Sequence, residues 1–437
     1  MQNKSILYIL VANVLWSFIP TVVSDLFNEF SVVMIIFLRF SISGVIFLLL
    51  GVGLIIANNR FLNMKNIDFS LLLSYLTTKN EGFFGMRNLL YIACLGFFGI
   101  TLQIIGYFMA IKTTTISFTM VGFQLSIILI ASYEHGVKLE RLDVFKILYL
   151  LILVFTIGII IFVKLRESSV NVEVPILGIY YLILFSITMS FLHVALNKDT
   201  YNNKEIILMN ENKYYKIARL FIKIGLIFLI GMSFLFPFLL INILIGIDDL
   251  LIKEIFLFFN EFSNIFEIMF QWETIFVIVF STVVPFLLIF LASMYWTPYN
   301  LTYSQWSSIL NIIEPIGAIT FGVLFATEFF PIEYLVIIIF LLLISILFRY
   351  AHESRNKVNA YIIINKEKGL LKNLPLDLLK IEGVSKVESL VGTYDLILHV
   401  KTNSIRDIYD LVNNKINSLK GLKDVKILFL DKIKKFK

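Results

Sequence analysis

The chain has 437 residues, of which 59% are hydrophobic and 16% are charged, and its mean hydropathy is +0.88. Soluble domains are usually about 45 to 50% apolar, so this composition excludes a soluble globular fold for most of the chain. The one cysteine, Cys94, excludes an intramolecular disulfide and a thiolate metal cage.

Apolar runs of 18 or more residues recur along residues 1–350, and each is long enough to cross a hydrocarbon core of about 30 Å. We therefore predict an all-α polytopic membrane protein of about ten helices. The first run has no small-residue cleavage signature, so we expect it to be retained. The predicted spans are residues 5–24, 31–57, 89–111, 115–133, 144–163, 175–196, 217–246, 274–296, 301–326 and 331–350.

Lysine and arginine are unequally distributed between the loops. If the N-terminus is cytoplasmic, the loops on the outer side hold only Lys112, Lys164, Arg166 and Lys253. The positive-inside bias thus predicts a multi-pass cell-membrane protein with both termini in the cytoplasm. Ten spans divide into two halves of five, which predicts an inverted repeat of the kind found in secondary transporters, with domains at 1–166 and 167–350.

Short motifs in the membrane part occur in a characteristic order. They are Leu15-Trp16-Ser17, Arg39, Met109-Ala110-Ile111-Lys112-Thr113, Glu140-Arg141, and Glu314-Pro315 with Glu328. In this order they resemble the drug/metabolite transporter superfamily, in particular its EamA-type members. The resemblance implies transport of a small metabolite by a ten-helix membrane domain.

Two charged residues stand out among those inside the predicted spans, Arg39 and Glu314. A charge in hydrocarbon costs roughly 2.5 to 3.5 kcal/mol on insertion scales, so such groups are expected to pair or to face a cavity. Arg39 and Glu314 are predicted about 12 Å and about 10 Å below the same outer face. We expect both to face one central cavity, where they pair in one state and Glu314 binds a substrate cation or a proton in another. A static structural ion pair is the alternative.

Further polar or aromatic residues in the spans are candidates for substrate or ion binding. Each has a simpler alternative: a hydrogen bond that ties two helices together or, for the tryptophan, packing or a position at the membrane interface. The candidates are Trp16, Asn13, Gln305 and Asn311.

Hydropathy falls after Arg349, and the remaining tail alternates short strand and helix patterns. The order is strand, helix, strand, strand, helix, strand, which predicts a ferredoxin-like α+β domain, βαββαβ, over residues 356–431. The predicted elements are strand 358–364, helix 374–380, strand 385–393, strand 395–402, helix 405–419 and strand 425–430. Ser404 and Gly421 are the expected start and stop signals of the second helix.

A Gly392-Thr393-Tyr394-Asp395 motif joins two strands of the tail, and Ile381-Glu382-Gly383-Val384 precedes it. In this context the tail resembles the effector-binding half of Lrp/AsnC-type regulators. The resemblance implies homodimerisation through the tail and binding of an amino acid or a related effector, with Gly392, Tyr394 and Asp395 as candidate effector-binding residues. The alternative is structural: a permissive turn, a cap and a core aromatic side chain.

The sequence contains no G-x-x-x-x-G-K-[ST], H-E-x-x-H or G-x-S-x-G motif, so we predict no enzymatic activity, no catalytic residues, no cofactor and no metal. No helix-turn-helix precedes the tail, so no nucleic-acid partner is expected. The predicted partners are a small-molecule substrate, the lipid bilayer, an amino-acid effector and a second copy of the chain. The sequence predicts a secondary transporter, an exporter or exchanger, regulated by the tail. The alternative is a membrane-bound metabolite sensor that does not transport.

Overall fold

The computed structural model shows a mostly helical chain with a small sheet near its C-terminus. It describes residues 2–61, 67, 76–80, 85–137, 143–168, 176–196, 205, 208–209, 212–246, 248–294, 296, 301, 303–326, 328–355, 358–366, 374–379, 381, 383–390, 393–402, 405–417, 419 and 422–429. The chain forms two compact units. The first comprises Met1–Ile130, Leu153–Tyr295 and Leu310–Leu342, and the second comprises Ala131–Ile152, Trp296–Ile309 and Leu343–Lys437.

Ten helices among the described residues are long and apolar enough to cross a membrane, which confirms the predicted polytopic architecture. Their lengths run from 20 to 32 residues. At 1.5 Å per residue, the shortest measures about 30 Å, the thickness of a hydrocarbon core. In chain order the spans are Lys4–Glu29, Val32–Phe61, Asn88–Thr113, Ile116–Gly136, Val144–Arg166, Ile176–Ala195, Tyr214–Ile245, Trp272–Met294, Tyr303–Phe325 and Ile332–Ser354.

Local sequence signals set the ends of several helices. Asn212 precedes the seventh span, and its side chain accepts a hydrogen bond from a backbone N–H of the first turn. Gly246 ends that span with φ of 65°, a left-handed conformation that suits glycine. The first span is longer than predicted because a second helix, Ile19–Glu29 with Pro20 near its start, follows Gln2–Ser17 almost directly.

The acid-rich segment after the seventh span forms a helix, Asp249–Glu261, that we did not predict from the sequence. Asp248 caps it by accepting hydrogen bonds from the backbone N–H groups of Leu250 and Leu251 at 2.9 and 3.2 Å. Its apolar residues are spaced for one buried face, which includes Leu251 and Ile255. That spacing was the signal available in the sequence.

The third and seventh spans approach each other closely through facing glycines. A Cβ atom built on Gly96 would lie 2.8 Å from the backbone nitrogen of Gly231, and one built on Gly231 would lie 2.9 Å from the carbonyl oxygen of Gly96. Only glycine permits backbones this near, so this contact between spans rests on small residues.

In the second unit, Asp143, which directly precedes the fifth span, and polar side chains of the ninth and tenth spans form hydrogen bonds. His352 Nδ1 and Asp143 Oδ1 are 2.6 Å apart, and Gln305 Nε2 donates to Glu353 Oε2 at 2.9 Å. Buried polar groups of this kind favour one arrangement of the helices that carry them, because each loses its partner if the helices slide.

The tail contains four antiparallel strands, β1 (Val358–Lys366), β2 (Val384–Ser389), β3 (Leu396–Thr402) and β4 (Leu422–Phe429), in the sheet order β2-β3-β1-β4. The helices α1 (Leu374–Leu379) and α2 (Ile405–Asp410, continued by a π-helical turn, Leu411–Ile416) complete the βαββαβ order. The predicted ferredoxin-like fold is confirmed. The proposed cap Ser404 and stop signal Gly421 lie outside the described residues.

The tail has a hydrophobic core built from its own residues. Alternate residues of the two central strands, such as Ile362 and Leu398, point to this core and are fully buried, and Leu378 and Ile408 cover them from the helices. The opposite face of the sheet is only partly buried by the described residues. Tyr361 and His399, which are partners in the β1–β3 register, stack there with ring centroids 5.1 Å apart.

Candidate functional site

Arg39 is 95% buried in the second span, about two helical turns from its start at Val32. Its Nε donates a hydrogen bond to Thr282 Oγ1 at 2.8 Å, and its Nη2 donates to the carbonyl oxygen of Ser281 at 3.5 Å. Both acceptors belong to a π-helical stretch of the eighth span, Phe276–Val283. Such stretches widen the helix and often occur at functional sites.

Aromatic rings surround the guanidinium group. Its central carbon lies 4.9 Å from the ring centroid of Phe40 and 5.6 Å from that of Phe108. Ring faces attract cations, which offsets part of the cost of keeping the charge away from water.

Two buried donors of this region have no hydrogen-bond partner in the described part of the chain. They are Arg39 Nη1 and the hydroxyl of Tyr107, a residue that is itself 95% buried. Leaving a buried polar group unpaired costs about 1 to 3 kcal/mol, and more for a charged group. Donors held in this way are suited to a ligand that brings its own acceptors.

Glu314 lies within electrostatic range of both Arg39 and Tyr107, so these three residues form one charged cluster. No ion pair shorter than 4.0 Å joins Glu314 to Arg39, although both residues are described. The ninth span is interrupted by a turn at Asn311 and Ile312, and Glu314 occupies the first turn of the helix that follows. A carboxylate there is favoured by the helix dipole.

The other predicted site residues have local partners. Asn13 Nδ2 donates to the Ile9 carbonyl at 2.8 Å, and Trp16 packs edge-on against Phe286 at 5.7 Å. Asn311 Nδ2 lies 3.3 Å from His193 Nε2, and Gln305 is held by Glu353. The contacts of Trp16, Asn311 and Gln305 favour packing and helix-tying roles. Asn13 bonds within its own helix, and its buried Oδ1 has no partner among the described residues. A binding role for these four residues stays a prediction.

Two residues of this region were not predicted from the sequence: Tyr107 of the cluster, and Thr282, which accepts the Arg39 hydrogen bond. Tyr107 follows Gly106, where a Cβ atom would lie 2.9 Å from the Phe185 backbone nitrogen, so the third and sixth spans are in close contact. The Tyr107 ring stacks on Phe185 at 4.7 Å and is thereby held in place. A Gly-Tyr pair in an apolar run is a weak signal, and nothing in the sequence distinguishes Thr282.

In the tail, Tyr394 and Asp395 lie directly before β3. The Tyr394 hydroxyl accepts a hydrogen bond from Lys426 Nζ at 3.1 Å, and this contact raises the pKa of Lys426. The backbone N–H of Asp395 donates to the carbonyl of Ile364. Gly392, the third predicted effector-binding residue, lies outside the described residues, as does the Glu140-Arg141 motif of the membrane part.

These features define a polytopic membrane protein with buried Arg39 and Tyr107 and partly buried Glu314 in its spans, and a ferredoxin-like domain at its C-terminus. The model of the EamA-like transporter family matches residues 3–164, the stretch that holds the first five spans. The model of the Lrp/AsnC ligand binding domain matches residues 359–435. Both resemblances drawn from the sequence are confirmed: residues 3–164 match the EamA-like transporter family, and residues 359–435 match the Lrp/AsnC ligand binding domain.

No curated protein matches the chain. One solved structure, described only as "Crystal structure of protein", is 13% identical with a TM-score of 0.42, and the match covers 81% of this chain and 100% of that one. A likeness at this level carries no functional information.

Proposed function

We propose that the chain is a secondary transporter that exports or exchanges a small metabolite carrying both a carboxylate and an ammonium group, such as an amino acid. The observation that carries the proposal is the cluster of buried Arg39 and Tyr107 with partly buried Glu314, in a ten-span chain whose first five spans match the EamA-like transporter family. The Arg39 guanidinium would bind the substrate carboxylate, and Glu314 would bind the ammonium group. The Tyr107 hydroxyl, which has no hydrogen-bond partner among the described residues, would donate to the carboxylate.

The proposed transport mechanism is alternating access between two inverted halves, residues 1–166 and 167–350. The family match to residues 3–164 supports the first half as a unit of five spans. Substrate sites of inverted-repeat transporters lie near the membrane midplane and often involve interrupted helices, and the break beside Glu314 fits that pattern. We place the protein in the cell membrane with both termini in the cytoplasm, as the lysine and arginine distribution predicts.

We also propose that the tail, residues 356–431, regulates transport by binding an effector as a homodimer. The match to the Lrp/AsnC ligand binding domain supports ligand binding. The sheet face opposite the tail core, with Tyr361, Ile363, Ile397 and His399 only partly buried, offers a surface for a second copy. Gly392, Tyr394 and Asp395 remain the candidate effector-binding residues, and an amino acid the candidate effector.

The deciding test is flux in proteoliposomes that contain the purified protein, with a panel of radiolabelled amino acids as substrates. We expect saturable, counterflow-competent uptake of at least one of them, and Arg39→Met to abolish it because the substrate carboxylate loses its cation. Glu333→Gln is the matched control, because Glu333 is exposed at the start of the tenth span. Absence of flux with every substrate, together with effector binding by the tail, would instead favour a sensor that does not transport.

A further inference from the structure

Two carboxylates on one membrane face each connect two spans in the same way. Odd-numbered spans end and even-numbered spans begin at this face, which we call the bridge face. Glu254 Oε1 pairs with Lys112 Nζ at 2.6 Å, and Glu254 Oε2 accepts a hydrogen bond from the backbone N–H of Val32 at 2.7 Å. Lys112 is near the end of the third span and Val32 begins the second. These three residues form the Glu254 bridge.

The second arrangement is built around Glu328, which follows the ninth span. Glu328 Oε1 pairs with Lys164 Nζ at 3.1 Å, and Glu328 Oε2 accepts a hydrogen bond from the backbone N–H of Ser117 at 3.1 Å. Lys164 is near the end of the fifth span, and Ser117 lies in the first turn of the fourth. These three residues form the Glu328 bridge.

Both bridges use the same chemistry. Each carboxylate contacts the first turn of an even-numbered span, where the helix dipole favours a negative charge. Each also pairs with a lysine near the end of an odd-numbered span. Glu254 is 95% buried, and the side chains of Glu328 and Lys164 are only 7% and 6% exposed. Buried charges that lose their partner are costly, so each bridge favours the arrangement in which it is formed.

The bridges tie the two proposed halves to each other. Both carboxylates come from the chain after residue 245, and both bind groups from the chain before residue 168. The Glu254 bridge binds the backbone of Val32, the first residue of the second span. Arg39 lies on the same helix, about 10 Å further along its axis. Glu328 directly follows the helix that carries Glu314. The helix start bound by the Glu254 bridge thus leads to Arg39, and the helix that precedes Glu328 carries Glu314.

We propose that the Glu254 and Glu328 bridges are the gate that closes the bridge face over the cluster of Arg39, Tyr107 and Glu314. The gate rests on the proposed transport function, because only alternating access requires this face to open. When this face opens, Glu254 and Glu328 of the second half move away from the lysines and the helix starts of the first half. Both bridges therefore break together. The distribution of lysine and arginine predicts that the bridge face is the outer one.

The test measures access to the site from each side of the membrane. The parent protein carries Cys94→Ser, which removes the one native thiol, and Thr282→Cys, which places a thiol beside Arg39. A membrane-impermeant methanethiosulfonate reagent is added to intact cells or to inverted vesicles, and the labelling rate is measured. Glu254→Gln and Glu328→Gln keep an oxygen that can accept the backbone hydrogen bond but lose the charge.

We expect the combined Glu254→Gln and Glu328→Gln variant to raise labelling from the outer side about tenfold. That is the change in open-state population for about 1.4 kcal/mol of lost closed-state stability. Lys112→Met, which removes the other partner of one pair, is expected to act in the same direction as Glu254→Gln. Glu333→Gln removes an exposed carboxylate near the same face and is expected to leave the rate unchanged.

Unchanged labelling in the variants, or an increase only from the inner side, would overturn the gate. An equal rise in the labelling rate with Glu333→Gln would also overturn the proposal. Size-exclusion chromatography of each variant checks that it is folded. Labelling needs no substrate, so the result stands apart from transport. Flux is measured separately in proteins that keep Thr282, because Thr282 positions Arg39. Labelling changes without flux in those proteins contradict the transport function, whereas normal flux with unchanged labelling contradicts the gate alone.

Discussion

Arg39 Nε donates a hydrogen bond to Thr282 Oγ1 at 2.8 Å, and this contact joins the second span to the π-helical stretch of the eighth. Both side chains are almost entirely buried. The contact restricts the orientation of the guanidinium group, whose Nη1 has no partner among the described residues, and Tyr107 and Glu314 interact electrostatically with this group. The site therefore depends on an acceptor that lies 243 residues away along the chain.

Thr282→Val tests this positioning role. Valine has nearly the same shape as threonine but no acceptor, and a hydrogen bond to a charged group contributes about 1.5 to 3 kcal/mol. We expect the apparent substrate affinity in proteoliposomes to fall roughly tenfold or more. Thr282→Ser keeps the hydroxyl and should restore most of it. Equal affinity for valine and serine variants would show that the contact is only structural.

Tyr107→Phe removes the buried hydroxyl and leaves the ring that stacks on Phe185. Since this hydroxyl has no protein partner among the described residues, its removal should not lower thermal stability. Transport is expected to decrease by roughly fivefold or more if the hydroxyl donates to substrate. Melting curves and flux measured on the same preparation separate the two effects, and a loss of stability without a loss of flux would contradict the assignment.

Gly106→Ala is expected to destabilise the membrane domain. The new Cβ would lie 2.9 Å from the Phe185 backbone nitrogen and 3.1 Å from the Tyr181 carbonyl oxygen, so the third and sixth spans would have to separate. Gly53→Ala is the matched control, since no atom lies within 4 Å of its Cβ position. We expect a lower melting temperature in detergent for the first variant and an unchanged or slightly higher one for the second.

The tail should lose stability as the pH falls below neutrality. Burial, followed by the nearby Lys401 and Lys386, lowers the pKa of His399 from its ordinary value of 6.5. In the window between the lowered pKa and 6.5 the unfolded chain binds more protons than the folded domain, so stability rises with pH across that window. Urea unfolding of residues 356–437 between pH 5 and pH 8 measures this.

His399→Gln removes the titrating group and should flatten that pH dependence. His399 is the one histidine of the fragment, so no other imidazole contributes. A pH profile with the same slope in both proteins would contradict the assignment.

Leu398→Ala tests whether the tail core is self-sufficient. Leu398 is fully buried on the central strand β3, and removing a buried leucine side chain costs about 2 to 5 kcal/mol. We expect the free energy of unfolding of residues 356–437 to fall by about that amount. Leu428→Ala, on the outer strand and half exposed, should cost much less. Similar losses for both would contradict a core closed within the tail.

The class of the protein could be predicted from its sequence alone. Length and hydropathy of the apolar runs define the ten spans, because the hydrocarbon core imposes one minimum length on every crossing helix. Alternation in segments such as Leu396–Thr402 determined the strands of the tail, since side chains of a strand alternate between its two faces. Arg39 and Glu314 could be singled out because charges in hydrocarbon are rare and costly.

Which side chains are in contact can be seen only in the tertiary structure. Thr282 and Tyr107 carry no pattern in the sequence, because hydroxyl groups are tolerated in spans for many reasons, and only the packing of distant helices brings them to Arg39. The structure likewise revealed the local partners of Gln305 and Asn311. Periodicity reports which face of a helix is apolar, whereas a site requires the rotation and depth of several helices, which are set by contacts between residues far apart in the chain.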